Sequence, residues 1–218
     1  MSSRSAARGL WPQNSTAMGA HIHLDPIGGL SGDMFVATLL SLAPAAEAPL
    51  RADLAAAGLD PHATLEVSKG RKNGFACLQV DMRVHRAAPP TRHWRDIRAF
   101  LSESALRPAA KARAIGIFEL LAEAEAACHD LPVADVHFHE IADWDSVADI
   151  VAAASLIETV GAESWSVSSL PLGRGRTMTQ HGMIPLPAPA TAYLLTDFET
   201  HDDGEEGERI TPTGAAII

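Results

Sequence analysis

Apolar and polar positions alternate with two different periods along the chain, and the switches between them outline its elements. AHIHLDP (20–26) alternates as a short strand, and GGLSGDMFVATLLSL (28–42) is a glycine-rich loop running into a helix with Ser31 or Asp33 near its cap. PLRADLAAAG (49–58) is a helix ended by Gly58. ATLEVSK and FACLQVDMRVH alternate as strands joined through GRKNG, whose Asn-Gly pair predicts a hairpin. After the breaker APPT come helices over about 93–104 and 108–129, the second carrying Ile115, Phe118, Leu121 and Ala122 at helical spacing. Its charges run basic early and acidic late, against the helix dipole, so tertiary contacts must hold it. The helix of about 144–160 has a core stripe of Val147, Ile150, Val151, Ala154 and Ile157. Asp145 and Asp149 share its other side with Ala152 and Leu156, so two like charges one turn apart sit on an otherwise apolar face. A strand, SWSVSSLPLG, then a loop, GRGRTMTQHG, then PLPAPA opening a helix, an acidic loop and the helix start TPTGAAII complete the chain. The expected fold is one α+β domain over residues 19–218, a mixed β-sheet packed by helices, behind a disordered leader of residues 1–18. Met18, directly before the first strand, is a candidate true start.

Composition narrows the partners. The 218 residues carry 17 Lys and Arg against 27 Asp and Glu, a net charge of −10. Such a balance argues against nucleic acid, which is bound through basic surface. No apolar run approaches the roughly 20 residues of a membrane span. Cys77 and Cys128 lie far apart with neither zinc-type nor CxxC spacing, which suits a reducing cytoplasm. The charge is also uneven. From Ala114 to Gly173 there is no Lys or Arg while eleven Asp and Glu appear, and DVHFHEIADWDSVAD (135–149) concentrates five of them with two histidines. Either water or a cation supplies the counter-charge.

In VHFHE, Val136 and Phe138 alternate with His137 and His139, so an extended segment turns both imidazoles one way. With Glu140 or Asp143 at the turn and Asp145 and Asp149 on the next helix, this is a nitrogen and oxygen donor set suited to a borderline divalent metal such as nickel, zinc, cobalt or manganese. A surface turn with solvated acids is the plain alternative, and Arg174 and Arg176, the first basic residues after the acid-only stretch, could neutralise it instead. HIHLD (21–25) is a second HxH, either of the kind that ligates zinc in metal-dependent hydrolases or simply the exposed polar face of a strand. GGLSGD could present backbone N–H groups to an anion, or be a plain helix entry. TPTG offers Thr211 and Thr213, again an anion contact or a simple cap.

Taken in order, DPIGGLSGDMF (25–35), HWRDIRAFL (93–101), VHFHEIADWDSVADIV (136–151), SSLPLGRGRTMTQHGMIPLPAPAT (168–191) and EGERITPTGAAII (206–218) resemble the LarC-type nickel insertion proteins. The resemblance implies a nickel chelatase of the lyase class. It would load nickel into the pyridinium-3,5-bisthiocarboxylic acid mononucleotide (nickel-pincer) cofactor of lactate racemase-type enzymes, forming a metal–carbon bond at the expense of CTP with a divalent cation. It further implies that His137, His139, Glu140, Asp145 and Asp149 collect nickel(II). Gly28, Gly29, Gly32, Arg174, Arg176, Thr211 and Thr213 would hold the cofactor precursor, while Asp33 and His181 take catalytic roles. Family members continue past TPTGAAII into a C-terminal domain tied to nucleotide handling, so a partner chain of that kind is expected, as is a homo-oligomer. Two departures stand out: Ala142-Asp143-Trp144 replaces Gly-Ala-Val, and Met183 replaces a basic residue. A non-catalytic nickel-binding module or metallochaperone and a small metal-dependent hydrolase are the competing classes.

Overall fold

The structure, a computed structural model, describes residues 19–85, 92–138 and 143–218. In chain order its elements are β1 (His21–Leu24), α1 (Gly32–Leu42), α2 (Glu47–Ala56), β2 (Ala63–Lys72), β3 (Phe75–Val84), α3 (Trp94–Glu103), α4 (Pro108–His129) and α5 (Trp144–Val160). Then follow β4 (Ser164–Val167), β5 (Leu170–Pro171), β6 (Gly173–Arg174), β7 (Arg176–Thr179), β8 (Gly182–Pro185), α6 (Pro189–Leu194), β9 (Thr200–His201), β10 (Gly207–Glu208) and α7 (Pro212–Ile217). The leader of residues 1–18 lies outside the described residues.

Helix α5 is apolar nearly all round, and such a helix belongs inside. From Val147 through Leu156 its apolar side chains are buried, and it packs against α1, α2, α4 and β3. The stripe of Val147, Ile150, Val151 and Ala154 is fully buried, while Ile157 lies at the core's margin. On the opposite side Ala152 and Leu156 are also buried, while Asp145, at the start of the helix, is exposed. On α4, Phe118, Leu121 and Ala122 are buried as expected, but Ala114 and Ile117 rather than Ile115 complete its inward face. Its unfavourable charge order is met by tertiary partners. Arg107 forks onto Asp53 of α2, Lys111 reaches the Ser102 and Ser104 carbonyls, and Arg113 pairs with Glu158 of α5.

The α+β class holds, with strands falling among the described residues into two-stranded pairs rather than one mixed sheet: β1 with β4, β2 with β3, β5 with β9, β6 with β10 and β7 with β8. The expected Asn73-Gly74 hairpin is present, both residues at positive φ. GRGRTMTQHG, read as a loop, instead supplies β6, β7 and the start of β8, because Thr177 and Thr179 alternate with Met178 across Gly182, itself at φ 89°. The parallel pair β1–β4 sets His21 opposite Ser164 and His23 opposite Ser166. The two nitrogens of His21 are each 2.8 Å from a serine oxygen, of Ser164 and Ser166, and His23 Nδ1 is also 2.8 Å from the Ser166 hydroxyl. The HIHLD histidines thus face a serine ladder.

One junction positions the site. Leu30 bridges to Ile210 in parallel, its N–H donating to the Arg209 carbonyl at 2.7 Å and its carbonyl accepting from Thr211 N–H at 3.0 Å. This ties the start of α1 to the start of α7. The approach is so close that a side chain on Gly214 would overlap the Leu30 carbonyl, so glycine is required there.

Candidate functional site: an acidic cavity with two imidazoles

A cavity of about 540 Å³ opens where several elements meet. Ser31, Gly32 and Asp33 enter from the start of α1, Ser146 and Asp149 from α5, and Glu125, Cys128 and His129 from the end of α4. Thr177, Thr179, His181 and Ile184 come from the β7–β8 hairpin, and Glu208, Thr211 and Thr213 from the chain leading into α7. Among the described residues, four carboxyl groups and two imidazoles therefore face one space, and no Lys or Arg lines it. A wall of that chemistry favours a cation over an anion.

Asp149 is the most perturbed group. Its Oδ1 is shut off from solvent and has no hydrogen-bond partner among the described residues. Burial first, then the charges of Asp33, Asp145 and Asp81, push its carboxyl up to about 8, with the Asp33 backbone N–H opposing. Gly32 makes the approach possible, since a Cβ there would lie 2.8 Å from both Cβ and Oδ2 of Asp149. Gly32→Ala should therefore displace Asp149 or the start of α1 at a cost of about 1–3 kcal/mol, read as a lowered midpoint in urea unfolding. An unchanged midpoint would mean that the two elements do not meet as closely as described. Ser31 donates its hydroxyl to Asp33 Oδ1.

Around the α4 end, Glu125 Oε2 is 3.4 Å from His129 Nε2, one helical turn apart, and the ring of His129 lies 4.9 Å from that of His181. Burial, with Glu125 adding, pushes the Cys128 thiol up, so it is a neutral thiol near pH 7. Thr211 is the N-cap of α7, accepting the Gly214 N–H at 3.1 Å.

Of the residues singled out in the sequence, Gly32, Asp33, Asp149, His181, Thr211 and Thr213 come together here. Gly28 and Gly29 lie in the preceding turn and do not line the cavity; Gly29 has φ 103° against the Arg209 carbonyl. Arg174 donates to the Gly204 carbonyl and Arg176 is exposed on β7, so neither reaches the cavity. Among the described residues no ion pair joins either arginine to Asp145 or Asp149. Asp145 is exposed and accepts the Ser146 N–H at 2.8 Å. His137 stands apart from the cavity, bridged to His93 with ring centroids 4.7 Å apart. His139 and Glu140 lie outside the described residues. Among the described residues, no three His, Cys, Asp or Glu are arranged as a ready-made metal cluster.

Sequence reasoning missed Ser31, Glu125, Cys128, His129, Ser146 and Glu208 as cavity residues. EAEAACHD (123–130) did carry a signal: Glu125 and His129 are spaced i, i+4 within the acid-only stretch, at the end of a helix.

The chain belongs to the nickel insertion protein family, whose sequence profile matches residues 22–218. A relative from Geobacter sp. (strain M21), provisionally named a nickel insertion protein, is 44% identical over 196 residues, covering 90% of this chain and 50% of that protein. Relatives so named from Geotalea daltonii (43% over 199 residues, 90% of this chain, 50% of the relative) and Thermomicrobium roseum (42% over 199 residues, 90% and 48%) are similar to it in the same way. The chain thus spans about half the length of these curated relatives. No solved structure matches it. Among the described residues, no helix is long and apolar enough to cross a membrane.

Proposed function

We propose that this chain takes nickel(II) as cargo into the acidic cavity and serves its insertion into an organic acceptor, the pyridinium-3,5-bisthiocarboxylic acid mononucleotide used by lactate racemase-type enzymes. The observation that carries this reading is the cavity wall itself: Asp33, Glu125, Asp149, Glu208, His129 and His181 with no basic residue among the described ones, in a chain of the nickel insertion family. Imidazole and carboxylate suit nickel(II) in transit, since neither outcompetes the thiocarboxylate sulfurs of the acceptor. Insertion exchanges a ring C–H for a nickel–carbon bond and releases one proton, with the Asp33 carboxylate on the cavity wall as the base that receives it. The chemistry is a chelatase reaction of the lyase class. CTP with its divalent cation is assigned to a C-terminal domain or partner chain, in keeping with relatives twice as long.

The same wall of imidazole and carboxylate donors also suits a second reading, a nickel-binding module that delivers metal without turnover. The two are separated by incubating the protein with nickel, the dithiolated precursor and CTP, with and without the C-terminal half of a relative as a separate chain. Mass spectrometry showing the nickel adduct supports insertion. Nickel binding without adduct in either mixture supports the carrier, and absence of nickel binding rejects both.

A further inference from the structure

The β2–β3 hairpin is anchored at one end only. Ala63, Leu65, Val80 and Met82 are buried at its root, whereas residues 71–76 around the turn are all exposed. Phe75 stands there with 78% of its surface in solvent, more than any other large apolar residue among the described ones. It lies directly opposite Lys72 in the strand register, so ring and ammonium share one face. The charge of this arm runs against that of the chain: residues 68–78 hold Lys69, Arg71 and Lys72 and no acid, in a protein of net charge −10. Among the described residues none of the three forms an ion pair.

A hole of complementary character lies elsewhere on the molecule. A pocket of about 340 Å³ opens under the β1–β4 pair and shares no lining residue with the acidic cavity. Phe35, Trp165, Val167, Phe198 and Ile217 line it, with Arg113, held by Glu158 at 2.6 Å, as its one basic group. Phe198 is flanked in sequence by Asp197 and Glu199, both exposed and, among the described residues, in no ion pair. A pocket of this size and lining accepts an aromatic side chain, a guanidinium on its wall stacks on the ring face, and the carboxylates beside it attract cations.

We infer that the β2–β3 hairpin tip of one copy docks on a second copy of this chain, Phe75 entering the pocket at Phe198 while Lys69, Arg71 and Lys72 meet Asp197 and Glu199. Charge complementarity singles out a second copy: the arm calls for an apolar hole beside carboxylates, and this chain carries both. Two copies engaged reciprocally close into a two-fold dimer with two such contacts. Exposed ion pairs contribute little each, so Phe75 is the anchor, and the charges set its register and make the contact sensitive to salt. The inference goes beyond the nickel reading and does not depend on it.

The test is sedimentation velocity of wild type, Phe75→Ala, the double variant K69E/K72E and the double variant D197K/E199K, with thermal melts to confirm that each folds; all five positions are exposed and outside the acidic cavity. The expected result is a wild type that self-associates at low salt, with affinity lowered about tenfold or more by about 0.5 M salt and by each variant. An equimolar mixture of the two charge-reversed variants should regain the association that neither shows alone, since each arm then meets a pocket of opposite charge. A wild type that stays monomeric at low salt overturns the inference and leaves the lysines as guards of open strand edges. Self-association that all three variants leave unchanged, or a mixture as weak as its components, overturns it as well. A monomer that needs Phe75 and the hairpin lysines only to bind the C-terminal half of a relative overturns the second copy in favour of that partner.

Discussion

Asp149→Asn will leave the stability of the metal-free protein nearly unchanged at about pH 4 and raise it at about pH 8, by about 2 kcal/mol or ~4–8 °C in melting temperature. The sign follows from linkage. Burial and the neighbouring acids push the Asp149 carboxyl up to about 8, so across the interval from the ordinary carboxylate range to about 8 the folded state binds more protons than the unfolded state. Stability in the wild type therefore falls as pH rises through that interval. Asparagine resembles the protonated acid and is free of the penalty. The same substitution removes a charge from the cavity wall, so nickel affinity at pH 8 should drop by tenfold or more while stability rises. Thermal melts from pH 4 to 9 and nickel titrations at pH 8 read both effects. A variant less stable than wild type at pH 8 would mean that a cationic partner neutralises Asp149 in the metal-free protein.

Asp53→Ala will have the opposite character, a large loss of stability without a loss of nickel binding. Asp53 is 4% exposed and accepts from Arg107 Nε at 3.0 Å and Nη2 at 2.6 Å and from the Ser155 hydroxyl at 2.6 Å, tying α2 to the start of α4 and the middle of α5. Removing one partner of a buried pair costs about 3–5 kcal/mol. Because the Arg107 side chain is 47% exposed and can be rehydrated, the lower end applies, about 3 kcal/mol, or ~6–12 °C in melting temperature. Asp53 does not line the cavity, so nickel affinity of the folded variant should stay within about twofold. A melting temperature within about 2 °C of wild type would show that the network contributes little.

The helices were legible because their apolar spacing is long and regular. α1, α4 and α5 lie within a few residues of their expected bounds, and α5's two acids on an apolar face pointed correctly to a strained carboxylate. What the pattern could not carry was pairing between distant segments. Leu30 meets Ile210, and His129 meets His181, through contacts that no local period encodes. The donor set drawn from VHFHEIADWDSVAD followed sequence adjacency, and in the fold its described members diverge: Asp149 turns into the cavity, Asp145 to solvent and His137 to His93. The short strands β6, β9 and β10 were invisible for a plainer reason, since two residues have no measurable alternation, while β5 falls inside the single strand expected over SWSVSSLPLG. Trp144 is also explained only in three dimensions. Its ring stacks on His62 at 3.8 Å and meets Phe100 edge-on, filling the space at the start of α5.

The most direct measurement is an anomalous difference map from crystals soaked in nickel(II), collected on both sides of the nickel absorption edge. An edge-dependent peak in the acidic cavity between the start of α1, the end of α4 and the β7–β8 hairpin is the expected result. A map at saturating nickel with no cavity peak, or with the metal only between His93 and His137, would contradict the assignment of the acidic cavity as the place where this protein receives nickel.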